Sequence, residues 1–339
     1  MDCIRLGLPK GSLNTEGRGN TYEVFLDAGY DIEGYTPGKE SDKRLLIAND
    51  PEIRLFLTRP QSAPVELMRG LLDIAIIGDD WVREESVNSN GNGPIIRVGD
   101  LGYGRTRLVM ALPKESSYTS LTEFLKDQKT RPNPILCFTE YPHLTRSFVM
   151  ENPEYLEQFG TCTPLVQVRG IVDGDNQRFQ IINSDGVTEG YISKGVDLIV
   201  DNTQTGSALR EYGLKEIEEL ARTSAGLYAG PACDTDWKQQ KAREIFDMLF
   251  GAVQGKKYFD VKFNIPVENL EMAVAYLKAN HLCSDEPSVT RGDHFSEVGI
   301  VIPREVFPQT VRTLRRDYHA SGIIRGEVKQ FIDDRSCHP

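Results

Sequence analysis

One stretch near the middle of the chain carries the densest set of groups able to hold a phosphate. Val196-Asp197-Leu198-Ile199-Val200 reads as a strand buried on both faces, being short and rich in β-branched residues. Asp201-Asn202-Thr203-Gln204-Thr205-Gly206-Ser207 follows as a polar turn, and a helix is expected from Ala208. Ser207 or Thr205 can cap that helix, leaving its first backbone N–H groups free to point at an anion. Gly206 lets the backbone approach closely, so the turn has the make-up of a phosphate cradle. The same residues also fit a plain strand-to-helix connection in which Thr and Ser only cap.

Three further turns sit where an open α/β sheet places its ligand contacts. Ile4 to Leu8 reads as a strand that ends in Pro9-Lys10-Gly11-Ser12. The Walker spacing is missing, so Lys10 could also be a solvated loop lysine. Ile53 to Leu57 is a strand ending in Thr58-Arg59-Pro60-Gln61-Ser62, with Ser62 a cap and Pro64 in the first helical turn. Ile74 to Ile77 is a strand with Gly78-Asp79-Asp80 at its carboxyl end. His143 has no Cys, Ser-His-Asp order or carboxylate spacing beside it and reads as a capping or structural histidine.

The elements that must position these turns alternate strand and helix, which means a mostly parallel α/β sheet. Glycines on both sides of Tyr103, in Asp100-Leu101-Gly102-Tyr103-Gly104-Arg105-Thr106-Arg107, suggest a hinge into a second lobe, or a mobile loop without a ligand. The expected organisation is a first lobe of residues 1–105 and 214–250, a second lobe of 106–213 and a C-terminal domain of 251–339. The polar run from Asp173 to Asp185 reads as an excursion outside the core. The C-terminal pattern is β-α-β-β-α-β: Tyr258 to Ile265 alternates, Leu270, Val274 and Leu277 stripe a helix, and a short strand lies near Ser288-Val289-Thr290. That is a ferredoxin-like module with no nucleophile or metal cluster, suited to regulation or oligomerisation, or serving only as a cap.

Composition narrows the function. Lys and Arg total 39 against 50 Asp and Glu, a net charge of −11, which argues against sequence-independent nucleic-acid binding. Any polyanionic ligand must be met by local positive potential. The 6 cysteines show neither a C-x-x-C pair nor zinc spacing and read as reduced thiols. Strand-like sequence begins at Cys3, and no apolar run approaches the roughly 20 residues that span a bilayer, so no membrane association and a cytoplasmic location are expected.

Several separated stretches coincide with one family. They are Leu8-Pro9-Lys10-Gly11, Asp73-Ile74-Ala75-Ile76-Ile77-Gly78, Asp100 to Val109, Tyr141-Pro142-His143-Leu144 and Asp201 to Leu214. Together with Pro287-Ser288-Val289-Thr290 in the C-terminal module, they make the chain resemble the long form of ATP phosphoribosyltransferase over nearly its whole length. The resemblance implies two lobes like those of a periplasmic binding protein around a cleft, followed by an ACT-like regulatory domain. It implies transfer of the 5-phosphoribosyl group from phosphoribosyl pyrophosphate to N1 of ATP, with Mg²⁺, as the committed step of L-histidine biosynthesis.

The residue roles it implies are these. The turn Asp201, Asn202, Thr203, Gln204, Thr205, Gly206, Ser207 and Ala208 would hold phosphoribosyl pyrophosphate. Lys10, Gly11, Arg59, Gly78, Asp79 and Tyr103 would face ATP, and Lys10, Arg59 and Glu189 would be catalytic, with no dedicated protein metal ligands. L-histidine would inhibit through Ser288 and Thr290, and the chains would assemble as dimers up to hexamers. Three departures stand out: Ser12 replaces the family's usual Arg, leaving Arg18 or Arg59 to supply that cation; Gly190-Tyr191 replaces the usual pattern after Glu189; and Val168 to Asp185 is longer than typical. The competing readings are a two-lobed cytosolic sensor and an inactive regulatory paralogue, each binding a phosphorylated small molecule.

Overall fold

The computed structural model describes residues 3–15, 20–40, 45–47, 49–88, 94–184, 186, 188–283 and 286–332. It divides into two compact units, one of residues 1–21, 33–46 and 51–242, the other of 22–32, 47–50 and 243–339.

The chain starts with β1 (Ile4–Pro9), α1 (Thr21–Asp27), β2 (Ile53–Thr58), α2 (Ala63–Met68), β3 (Ile74–Gly78), α3 (Asp79–Asn88) and β4 (Ile96–Asp100). It continues as β5 (Thr106–Pro113), α4 (Leu121–Gln128), β6 (Ile135–Thr139), α5 (Pro142–Met150), α6 (Pro153–Phe159), β7 (Pro164–Val168), β8 (Ile171–Asp173) and β9 (Asn176–Asn183). A 3₁₀ turn over Thr188–Lys194, β10 (Leu198–Thr203), α7 (Ser207–Glu211), β11 (Leu214–Thr223), β12 (Ala225–Ala229) and α8 (Asp236–Gly255) complete this part.

The first unit holds two lobes, each built on one sheet. The first sheet has the order β2-β1-β3-β12-β4, with β1 parallel to β2 and β3, and β12 antiparallel to β3 and β4. Every residue of β3 is buried, as expected of an apolar run covered on both faces. The second sheet has the order β8-β7-β9-β6-β10-β5-β11. Its core gathers Leu108, Met110, Phe124, Tyr155, Phe179, Ile181 and Leu198. The chain passes between the lobes twice, after β4 and after β11. The two crossings are tied by backbone bonds, Ala225 N–H to Tyr103 O at 2.9 Å and Leu101 N–H to Ala225 O at 3.0 Å. This is the hinge that the glycines around Tyr103 suggest.

Two readings of the chain are corrected here. Leu214–Thr223 does not return to the first lobe: as β11 it pairs antiparallel with β5, from Leu214 opposite Pro113 to Thr223 opposite Thr106, at the edge of the second sheet. The run from Asp173 is not an excursion either. β9 lies between β7 and β6, its Phe179 and Ile181 fully buried, because non-local pairing on both sides outweighs its polar composition. Asp185 lies outside the described residues.

The second unit contains β13 (Tyr258–Pro266), α9 (Leu270–Ala279), β14 (Ser288–Thr290), β15 (Phe295–Pro303), α10 (Phe307–Tyr318) and β16 (Ser321–Glu327). Its sheet order β14-β15-β13-β16 and the β-α-β-β-α-β sequence are those of a ferredoxin-like module. Phe259, Val261, Phe263 and Ile265 of β13 alternate inward to meet Leu270, Leu277 and Leu314.

Candidate active site

The carboxyl ends of β1, β2 and β3 and the turns after β6 and β10 surround a cavity of about 490 Å³ within the first unit. Lys10, Gly11, Arg59 and Gly78 line it from the first lobe, Glu140, Tyr141, Asn202 and Gln204 from the second, and Arg105 and Thr106 from the hinge. Lys10, Arg59 and Arg105 form no ion pair among the described residues, whereas most arginines nearby do. Ser12 also lines the cavity, and Arg18 lies outside the described residues.

The floor is built around Asp80, in the first turn of α3. Its carboxylate accepts from Tyr141 Oη at 2.6 Å, Asn202 Nδ2 at 2.7 Å and Thr223 Oγ1 at 3.1 Å. Burial raises its pKa although the Tyr141 and Thr223 hydroxyls act against the shift. Trp81 packs on Tyr141 with ring centroids 4.5 Å apart, an aromatic wall facing the cavity. One turn further along α3, Glu84 accepts from the backbone N–H groups of His143 and Leu144 at 2.9 and 2.8 Å, and so closes the N-terminus of α5. Burial pushes the Glu84 carboxyl up to about 7. His143 has a buried, unpartnered Nδ1, and burial and the charge of Arg146 lower its pKa.

The turn after β10 is shaped differently from its capping expectation. α7 starts at Ser207, and its N-cap is Gly206 at φ +70°, with no side-chain cap. Thr203 Oγ1 instead accepts from Gly206 N–H at 2.9 Å, and Thr205 and Ser207 hydroxyls bond each other at 3.1 Å. Gly206 is favoured by its left-handed φ; an added Cβ would meet only the ends of the Glu216 and Arg210 side chains, which can move aside. Thr205, Ser207 and Ala208 are left exposed. Within the last residues of β10 the Asp201 carboxyl is pushed up to about 7, first by burial and then by the charges of Glu189 and, more weakly, Glu140.

Two residues expected to face the nucleotide do not line this cavity. Tyr103 is buried with its hydroxyl 2.8 Å from Thr21 Oγ1, and burial holds its phenol protonated. Asp79 points towards a neighbouring cavity of about 480 Å³, where it bonds Tyr228 Oη and pairs with Arg97 at 3.2 Å. Helical geometry explains the exchange, since adjacent residues in a first turn project about 100° apart and only Asp80 faces inward. Glu189 stands in the 3₁₀ turn, and Ser288 and Thr290 lie on the exposed edge strand β14 of the other unit. The cavity residues missed at the sequence level include Asp80, Trp81, Arg105, Glu140, Tyr141 and Thr223. Asp80 and Arg105 fall inside stretches already singled out, but neither stretch says which way its side chains point.

Residues 59–251 match the family model described as ATP phosphoribosyltransferase. The chain is 28% identical to the ATP phosphoribosyltransferase of Pelotomaculum thermopropionicum over 81% of its length and 82% of the relative's. It is 26% identical to that of Nitratidesulfovibrio vulgaris over 98% of its length and 99% of the relative's. The ATP phosphoribosyl transferase (HisG:HisZ) complex from Thermotoga maritima shares the fold at TM-score 0.50 and 22% identity, over 73% of this chain and 96% of that one. The chain belongs to the ATP phosphoribosyltransferase family, the transferases of the first step of histidine biosynthesis.

Proposed function

We propose that the cavity joins ATP and phosphoribosyl pyrophosphate through the residues placed around it. The observation that carries this reading is the meeting of Lys10 and Arg59, two cations that make no ion pair among the described residues, with Asn202 and Gln204 of the Asp201–Ala208 stretch at one cleft. Adenine N1 displaces pyrophosphate at the anomeric carbon: the C–N bond forms, the C–O bond breaks, and its electron pair leaves with pyrophosphate. The state between is oxocarbenium-like, so positioning and neutralisation of leaving-group charge dominate over covalent catalysis. N1 needs no strong general base, because it attacks through its lone pair.

The Thr203–Ala208 turn holds the 5-phosphate with backbone N–H groups and the Thr205 and Ser207 hydroxyls. Asp201 and Glu189 accept the ribose hydroxyls, and Lys10 and Arg59 meet polyphosphate oxygens. Trp81 and Tyr141 supply an apolar surface of the kind on which a purine stacks. The Asp201, Glu189 and Glu140 carboxylates are hard-oxygen donors that suit Mg²⁺, although among the described residues no group of three or more His, Cys, Asp or Glu is arranged to hold a metal ion. Mg²⁺ bound mainly by substrate oxygens and water would supply charge neutralisation on the leaving group.

We assign the ferredoxin-like module to inhibition by L-histidine through Ser288 and Thr290, and the chain to oligomers from dimers to hexamers. The cytoplasm is the location that fits a reaction between these metabolites; no helix among the described residues is long and apolar enough to cross a membrane.

The test is pyrophosphate release with ATP, phosphoribosyl pyrophosphate and Mg²⁺, with the nucleotide product followed by its ultraviolet absorbance and L-histidine added in a second arm. Turnover is expected, and Thr205→Ala should raise KM for phosphoribosyl pyrophosphate by about tenfold, the loss of one hydrogen bond to a charged group. Binding of both substrates without pyrophosphate release would favour the sensor reading.

A further inference from the structure

We infer that Arg105 is a polyphosphate-binding residue at the junction between the main cavity and its neighbour, which deepens the proposed function and rests on it. Arg105 lines both cavities, as do Thr106, Gln204 and Thr223. The other arginines of the smaller cavity are already neutralised. Arg97 pairs with Asp79 at 3.2 Å and Asp100 at 3.6 Å, Arg107 with Glu216 at 2.7 Å and Glu219 at 3.3 Å, and Arg222 with Glu219 at 2.7 Å. Those pairs set three arginines against four carboxylates and leave none of the three free of an acidic partner. Arg105 is exposed, lines the same cavity and makes no ion pair among the described residues, so its guanidinium is the one there left for a ligand anion.

Its backbone is held in place rather than left on a loose loop. Gly104 adopts φ +63°, and a Cβ there would stand 2.4 Å from Leu13 Cδ2, so the hinge packs closely on the Lys10–Leu13 turn. Immediately after Arg105, β5 begins, paired on both sides by β10 and β11. Arg105 thus stands on a fixed stretch of backbone that touches the same turn as Lys10. A planar fork of donors without a carboxylate partner is matched to phosphate oxygens. The ligand is a di- or triphosphate, which the reaction offers from two sources: the tail of ATP and the pyrophosphate of the phosphoribosyl donor.

Equilibrium binding of ATP, AMP, phosphoribosyl pyrophosphate and inorganic pyrophosphate, each with Mg²⁺, to the full-length protein and to Arg105→Gln tests this. The variant is expected to bind at least one polyphosphate about tenfold more weakly while keeping its affinity for AMP, with Arg105→Lys recovering part of the loss. A loss on ATP alone assigns the nucleotide tail, and a loss on both phosphoribosyl pyrophosphate and pyrophosphate assigns the leaving group. Equal affinities in wild type and Arg105→Gln, or an equal loss on AMP, would overturn the assignment to Arg105. A wild-type protein that binds no polyphosphate would overturn the proposed function with it.

Discussion

The floor and the rim of the cleft use charge in opposite ways. On the floor, Asp80 is surrounded by Tyr141, Asn202 and Thr223, and each donor is spent on the protein itself. On the rim, Lys10, Arg59 and Arg105 carry full charges with no partner among the described residues. A buried, fully engaged carboxylate links the lobes by joining residues from both. An unengaged cation adds little to folding, so its value lies in the ligand it meets. Charge that is satisfied reports architecture, and charge that is unsatisfied reports function.

The sharpest way to break this contrast is Asp80→Ala. It takes the shared acceptor from the buried Tyr141 and Thr223 hydroxyls and the half-buried Asn202 amide and should cost about 3 kcal/mol in urea unfolding, with activity lost in proportion to the folded fraction. A stable but inactive variant would show that the floor itself does chemistry. Arg59→Ala should behave in the reverse manner. Its kcat/KM is expected to fall by about 100-fold, as for removal of one charge stabiliser, while unfolding free energy stays within about 0.5 kcal/mol. Equal losses of stability in the two variants would erase the distinction.

The smallest expected effect concerns Asp201, which stands between the two classes. Its carboxyl, raised to about 7, stays protonated in the folded state where the unfolded chain has released its proton. Its contribution to stability therefore falls as pH climbs from roughly 4 to 7 and is constant above that window. The ionised form accepts ribose hydroxyls, so KM for phosphoribosyl pyrophosphate should fall as pH rises from about 6 to about 8. Burial raises Asp201 most and the Glu189 charge adds to it, so Glu189→Gln should carry this limb to lower pH by less than one unit, about 1 kcal/mol of interaction. A limb that does not move in Glu189→Gln would remove Glu189 from the neighbourhood of the reacting sugar.

The amino-acid sequence by itself determined the local elements and the turns that could matter. Runs such as Ile74–Gly78, short and apolar throughout, read as buried strands, and the alternation in Tyr258–Pro266 reads as a half-buried one, and both form. Lys10 and Arg59 could be placed at the cavity because each follows a strand directly, where backbone direction alone puts it at the sheet's carboxyl edge. Tertiary structure decided what depends on partners distant in the chain. It set β9 in the interior of the second sheet, although Gln177, Arg178 and Gln180 read as surface, because β6 and β7 claim its backbone on both sides. It chose Asp80 over Asp79 for the cavity, since the rotation of one helical turn is fixed by Thr223, Ser224 and Tyr228, well over a hundred residues away. It also buried Tyr103 and left Arg105 facing the cleft, two residues apart on one hinge. Sequence spacing cannot express such a choice, because a hinge has no periodicity and its side chains point where packing leaves room.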